Sequence, residues 1–329
     1  MKRTALLVLV LCSFSAFAQE KAPEKPVVIS GYVIGDYYSV PSHHLAVAEG
    51  QNGFWLRRGY LTFDKTISDQ FSARLRFEIN QPGDFRTNAN LEPFVKDAYV
   101  RWKQSPKLEW TVGISPTPTF EVIERIWGYR SVERTPVDLH RLASSRDFGI
   151  ALTGGFDRYR YHVMAGNGSG VGSETNDEKK VAAAFSIAPT KSTLVELYAD
   201  REARPGDDDR SIAQVFAALQ LPGKRVGAQF THQDRARGDV DLASVFGVAD
   251  LRPNVSVLAR VDRMFDPSPE GDRIAFLPFD TTSESTLFIA GVDYKLHKNV
   301  SIIPNVEYIR YDGGAEDDIL LRLTFFYSF

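Results

Sequence analysis

A period of two, sustained over segments longer than ordinary strands, constrains this chain more than any other feature. Between residues 71 and 80, Phe71, Ala73, Leu75, Phe77 and Ile79 alternate with Ser72, Arg74, Arg76, Glu78 and Asn80. Successive side chains of a strand point to opposite faces, so one face here is apolar and the other charged. The same alternation runs back from Phe329 through Tyr327, Phe325, Leu323, Leu321 and Ile319, with Ser328, Phe326, Thr324, Arg322, Leu320 and Asp318 on the other face. In a soluble sandwich the apolar face would meet a core. In a membrane barrel it meets lipid, and the charges line a wet lumen. Strand length, strand number and the chain ends separate the two.

Candidate strands of about nine to twelve residues recur, the span needed to cross a bilayer at a tilt, whereas soluble strands are typically ~5–6 residues. Sixteen are predicted, near 27–38, 54–66, 70–80, 94–103, 108–115, 146–154, 157–167, 179–188, 192–201, 210–220, 225–232, 241–250, 254–264, 285–296, 300–311 and 317–329. Their connections alternate in length. Short turns fall at Ser68-Asp69, Ser105-Pro106-Lys107, Gly154-Gly155, Pro189-Thr190-Lys191, Pro222-Gly223-Lys224, Arg252-Pro253-Asn254 and His297-Lys298-Asn299. Longer polar stretches lie between them, including 39–53, 81–93, 115–145 and 264–284. Short turns on one side and long loops on the other are the asymmetry of an outer-membrane barrel. The fold class expected is therefore all-β: a closed antiparallel transmembrane barrel of an even number of strands.

The chain ends fit that class. Lys2 and Arg3, the apolar run Ala5 to Leu11 and the Ala16-Phe17-Ala18 site read as a cleaved secretory signal over 1–18. The apolar run is far shorter than the ~20 residues of a spanning helix. Residues 19–26 form a short charged leader, and 27–329 a single barrel domain. Cys12 is the only cysteine and leaves with the signal, so disulfides, thiol nucleophiles and cysteine metal sites are excluded from the mature chain. The net charge of -3 gives nucleic-acid binding no electrostatic support. The terminal aromatic Phe329 is the ending that outer-membrane barrels present to the barrel assembly machinery, which with outer-membrane lipid is an expected partner.

Several short segments, in order, resemble the phosphate-selective porin O/P family. They are Gly31 to Asp36, then Leu56-Arg57-Arg58-Gly59-Tyr60-Leu61-Thr62-Phe63, Arg74-Leu75-Arg76-Phe77-Glu78 and Lys96-Asp97-Ala98-Tyr99-Val100. Val112-Gly113-Ile114 with Pro116 is similar to the strand entering that family's long third loop, Arg146-Asp147-Phe148-Gly149-Ile150 to the strand leaving it, and Gly166-Asn167-Gly168 to the opening of the next loop. The second half matches mainly in pattern and in its aromatic end. The resemblance implies a sixteen-stranded barrel, commonly a homotrimer, with a loop folded into the pore and small hydrophilic solutes or anions as cargo.

With the apolar set outward, Arg58, Arg74, Arg76, Arg101, Arg158, Arg160 and Glu78 become pore-wall residues. The stretch 115–145 is the longest irregular one, and loops of that length are usually functional. It carries Arg125, Arg130, Arg134 and Arg141 with Glu121 and Glu124, the expected constriction residues. Its Phe120, Ile126, Trp127 and Tyr129 are too apolar for a loop in water, which predicts that it folds inward. Rings of charge tune which ions pass a narrow pore. Because acids nearly match bases here, a general or weakly anion-preferring pore fits better than a dedicated phosphate filter, for which basic groups would cluster without carboxylates.

No nucleophile elbow, paired-histidine zinc motif or phosphate-binding Gly-rich loop occurs. No catalytic residue, cofactor or metal is expected. His43-His44 falls in a long loop, where adjacent side chains of an extended chain point apart. His162 reads as a wall residue. The alternatives to a passive porin are a barrel enzyme of the lipid-hydrolase type, which needs a polar triad on an outward face that is apolar here, and a plugged structural barrel.

Overall fold

The computed structural model describes residues 25–206 and 208–329; the signal sequence and most of the leader lie outside the described residues. Sixteen strands follow in chain order: β1 Val27–Ser42, β2 Asn52–Thr66, β3 Phe71–Asn80, β4 Glu92–Ser105, β5 Leu108–Pro116, β6 Arg146–Phe156, β7 Tyr159–Gly166 and β8 Lys180–Ile187. Then come β9 Thr193–Glu202, β10 Arg210–Leu221, β11 Lys224–Arg235, β12 Val240–Arg252, β13 Val255–Met264, β14 Ser285–His297, β15 Val300–Tyr311 and β16 Asp318–Ser328. Two short helices, α1 (Glu121–Trp127) and α2 (Pro136–Leu139), lie between β5 and β6, and a 3₁₀ turn (Gly271–Arg273) between β13 and β14.

Each strand pairs antiparallel with its neighbours, and β16 pairs with β1 to close the barrel. Closure leaves no strand edge for lipid to strand without partners. The seam runs from Tyr32 opposite Ser328 to Ser42 opposite Ile319. Gly31 and Gly35 lie on it because the rings of Phe329 and Phe325 cross directly over them, leaving no room for a Cβ. Leu75, Leu321, Leu323, Phe325, Tyr327 and Phe329 are exposed outward, as the alternation predicts. Among the described residues, no helix is long and apolar enough to cross a membrane.

The connections alternate as expected, with one shift. The β6–β7 turn is at Asp157-Arg158 rather than Gly154-Gly155, because β6 runs through both glycines to Phe156. Those glycines make room for the facing Tyr161 and Arg160 side chains, and the turn itself uses the left-handed conformation of Asp157 (φ 52). Arg158 thus occupies the turn, exposed beside the Tyr159 ring, instead of a wall position within a strand.

Two breaks in the period of two bear on the lumen. In β2, Ile34 faces Arg58 and Gly35 faces Leu56, so Arg57 is an extra residue. In β4, Arg76 faces Asp97 and Phe77 faces Val95, so Lys96 is extra. A bulge lets two consecutive side chains take the same side, and both Arg57-Arg58 and Lys96-Asp97 turn inward.

The lumen has two unlike halves. Inward residues of β2–β9 are mostly polar and charged. Inward residues of β10–β16 include Phe216, Phe246, Val248, Leu258, Leu287, Ile289, Ile303, Ile309 and Leu320, all buried in one apolar cluster with Ile123, Ile126 and Trp127 of α1 and with Ile274, Leu277 and Phe279. Buried polar groups are interspersed among them, including Gln214, Gln229, Asp262, Asp293 and Glu307.

Candidate functional site

The segment 117–145 leaves β5 and turns into the barrel. α1 has apolar residues at positions 123, 126 and 127, one face of a helical turn, and ends at Gly128, whose left-handed φ of 71 lets its N–H reach Glu124 O. The apolar face packs on the far wall, where Trp127 lies edge-on to Phe246 at 5.3 Å, with the Arg260 guanidinium 5.0 Å from its centroid. Burying an indole removes ~150–250 Å² from water, an upper gain of about 4–6 kcal/mol at 25 cal/mol/Å².

A loop inside a barrel must still satisfy its backbone, and wall side chains do this. Arg225 donates to Ile126 O (2.6 Å) and Trp127 O (3.1 Å), Arg260 to Arg134 O (2.7 Å), Gln214 to Thr119 O (3.2 Å) and Gln233 to Leu142 O (2.7 Å). Arg57, the bulge residue, donates to Val132 O (2.7 Å) and to Ser131 O, and pairs with Asp36 at 2.5 Å. Arg322 joins Glu307 (2.9 Å) to Glu133 (3.2 Å). Burial pushes the Glu133 carboxyl up, but Arg134, Arg322 and Arg57 outweigh it and hold it at about 2. Burial likewise raises Asp138, yet Arg130 and Arg134 keep it well below the usual carboxylate range. His140, buried against Phe279 and 3.0 Å from Ser268 Oγ, is pushed down to about 3 by burial and by the Arg260 and Arg134 charges.

A second segment, 265–284, meets the first from the long-loop end. Arg134 donates to Ala275 O (3.3 Å), Arg141 to Arg273 O (3.1 Å) and Arg322 to Phe276 O (2.8 Å), while Phe276 N–H donates to Gly83 O (2.7 Å). This inward segment was not anticipated, although Ile274-Ala275-Phe276-Leu277-Pro278-Phe279 is as apolar as the α1 stretch and carries the same signal.

The polar side of α1 faces the charged wall. Glu121, Glu124, Arg125 and Arg130 line a cavity of about 640 Å³ with Arg146, Arg225, Asp250, Asp293, Lys295 and Lys298. Glu121 and Arg125 also line a second cavity, of about 620 Å³, with Arg101, Lys103, Lys107, Glu109, Asp157, Arg160, His162 and Glu196. Both reach residues of the short turns, and they adjoin at Glu121 and Arg125. His162 Nδ1, 3.7 Å from Glu121, holds that carboxyl below its ordinary range.

The anticipated loop residues thus separate. Glu121, Glu124, Arg125 and Arg130 come together at the cavities. Arg134 is turned away, half enclosed against Glu133 (3.3 Å), and Arg141 sits at the loop's outer edge with Glu270 (3.5 Å). On the wall, Arg58 pairs with Glu78 (2.7 Å), Lys96 with Glu78 (3.0 Å), Arg76 with Asp97 (3.2 Å), Arg146 with Asp97, Arg74 with Asp64 (2.7 Å) and Arg101 with Glu109 (3.0 Å). Arg130 bridges Glu124 (2.9 Å) and Asp138 (2.5 Å). Arg160 lines the second cavity near the turn end, its guanidinium on Tyr159 O (2.8 Å). Arg57, Lys96, Arg146, Arg225, Lys295 and Lys298 were not anticipated. Two of these are bulge residues, and an arginine facing lipid would have been the warning in a strictly alternating reading.

The architecture is that of the porins. No family's sequence pattern and no curated protein matches the chain. Among solved structures it is similar to an anion-selective porin from Comamonas acidovorans, with a TM-score of 0.70 and 11% identity over 92% of this chain and 99% of that one. It is also similar to the outer-membrane channel DcaP of Acinetobacter baumannii (TM-score 0.65, 14% identity, 92% and 97% covered) and to the outer-membrane expressed OmpT of Vibrio cholerae (0.63, 12%, 94% and 99%). At these identities the likeness is one of fold. The specific resemblance to the phosphate-selective O/P family stays with the short sequence segments.

Proposed function

We propose that this protein is an outer-membrane porin through which small hydrophilic solutes and ions diffuse passively, with the segment 117–145 as its constriction. The observation that carries the reading is the docking of that segment across a closed sixteen-stranded barrel, with its charged side left facing two cavities of about 640 and 620 Å³. The apolar cluster is closed to solutes, so the route runs past Glu121, Glu124, Arg125 and Arg130, with the polar β4–β9 wall on one side and Arg225, Asp250, Asp293 and Lys295 on the other. The short turns face the periplasm and the long loops the exterior, as in other outer-membrane barrels.

Selectivity is weakly anionic. Basic groups outnumber acidic ones in both cavities, yet carboxylates line both and Arg101, Arg130 and Arg146 are already paired, a mixed lining less suited to stripping water from phosphate than a purely basic cluster. The Comamonas neighbour, an anion-selective porin, supports the direction. The reading includes a homotrimer, the form named for one solved OmpT structure from Vibrio cholerae, and assembly by the barrel machinery through the β16 end.

Planar-bilayer recording tests this. Step-like conductance with a reversal potential displaced modestly toward the anion value in a salt gradient is expected. Absence of conductance would favour the plugged structural barrel, and submillimolar phosphate blocking the chloride current would favour a phosphate-selective pore.

A further inference from the structure

The long-loop end of the barrel holds a side-chain cluster that permeation does not use. β1 stops at Ser42, whose Oγ donates to Asp317 O (2.7 Å), and the chain turns so that the His44 N–H donates to Asp318 Oδ1 (2.7 Å). Both imidazoles then face one carboxylate, in contrast to the divergence expected of an extended chain. His44 Nδ1 lies 2.9 Å from Asp318 Oδ2, His43 Nδ1 lies 3.4 Å from Asp318 Oδ1, and the two rings are 4.6 Å apart. The Tyr311 hydroxyl donates to Asp318 Oδ2 (2.7 Å) and lies 3.4 Å from His44 Nδ1. The His43 and Asp318 side chains are fully buried.

Hydrogen bonding alone leaves this cluster mismatched. His43 Nδ1 accepts the Leu45 N–H (3.0 Å), which places the ring proton on Nε2, and Nε2 is buried with no partner among the described residues. The unprotonated Nδ1 then faces Asp318 Oδ1, acceptor against acceptor.

We propose that His43, His44 and Asp318, with the Tyr311 oxygen as a fourth donor, bind a divalent transition metal of the zinc class at the outer mouth of the barrel. One ligand atom from each of His43, His44 and Asp318 falls within 4.8 Å of the others. Around a tetrahedral zinc with bonds of ~2.0–2.1 Å, neighbouring donors stand ~3.3 Å apart, and the nitrogen–oxygen separations here bracket that value. Two imidazoles and one carboxylate select zinc-like ions over calcium or magnesium, which prefer all-oxygen shells. Coordination at His43 Nδ1 displaces the Leu45 N–H and places a cation between the two opposed acceptors. The site would staple the loop 43–51 to the ends of β15 and β16. Because the Asp280 N–H donates to the Tyr311 hydroxyl (3.1 Å), it would also tie in the segment 265–284.

The test uses the folded full-length barrel in detergent, stripped with chelator and titrated with Zn²⁺ alone by calorimetry, and with Co²⁺ by visible absorption. One high-affinity Zn²⁺ per chain and a cobalt ligand-field band are expected. The double variant His43→Ala/His44→Ala, which keeps His140, His162, His232 and His297 as an internal control, should weaken binding by roughly a hundredfold or more. The isosteric Asp318→Asn should do the same, and His44→Gln serves if the double variant does not fold. Equal binding by wild type and variants, no binding by wild type, or Ca²⁺ and Mg²⁺ binding as tight as Zn²⁺ would overturn the proposal.

Discussion

Leu75 and Arg76 are neighbours in one strand with opposite fates. Leu75 faces lipid, while Arg76 pairs with Asp97 and lies 5.2 Å from the Tyr60 ring centroid. Leu75→Arg should destabilise the barrel by roughly 2–4 kcal/mol if it lies near the midplane, read as a lowered urea midpoint in lipid vesicles. Arg76→Leu should leave that midpoint much closer to wild type and change conductance instead. Charge at the proposed constriction divides similarly. Arg125→Ala and Arg130→Ala should move the reversal potential toward cations, whereas Arg134→Ala should not, since its guanidinium faces Glu133 and Ala275. A shift produced by Arg134 and not by Arg125 would mean the route runs on the other side of α1. Trp127→Ala removes the loop's largest anchor. It should cost about 3–5 kcal/mol in loop docking and appear as noisy, enlarged single-channel currents.

At the scale of elements, the strands were readable because their signals are local. Alternation, Pro-Gly turns and aromatic ends placed sixteen strands to within a few residues, and β3 and β16 matched in facing as well as position. What failed depended on distant partners. The bulges at Arg57 and Lys96 are invisible to a rule that counts by two, and the inward segment 265–284 declares itself only once the α1 anchors show where an apolar surface waits. Strands β12–β16 carry apolar residues on both faces, as in Leu287-Phe288-Ile289 and Ile319-Leu320-Leu321. That is the pattern of strands buried on two sides, and the alternating reading used only one of them. The docked loop also has a built-in acid sensitivity. His140 is held neutral, with its folded value of about 3 below the ordinary 6.5. The released loop therefore binds more protons below pH 6.5, so docking weakens as pH falls from about 6.5 toward 3. Conductance should rise across that window and His140→Gln should flatten the change, while Glu133, held at about 2, adds its own loss only below about 4.5. Deleting 121–142 should raise conductance at every pH and remove most ion selectivity.

For the whole molecule, the seating of the loop on an apolar cluster at one side of the lumen has a consequence for the order of assembly. The wall side chains that touch Trp127, namely Arg225, Phe246 and Arg260, come later in the chain than the loop itself. The loop's dock is therefore missing until the C-terminal strands are in place, and the contacts that finish it join residues about a hundred positions apart or more. Such long-range closure is intrinsically slow. In the interval the α1 face is an exposed apolar helix on an incomplete sheet, the kind of surface that invites misassembly. The chain thus needs a holdase more than its surface composition implies, and fluorescence from Trp127 should reach its final value only after the β1–β16 seam has closed.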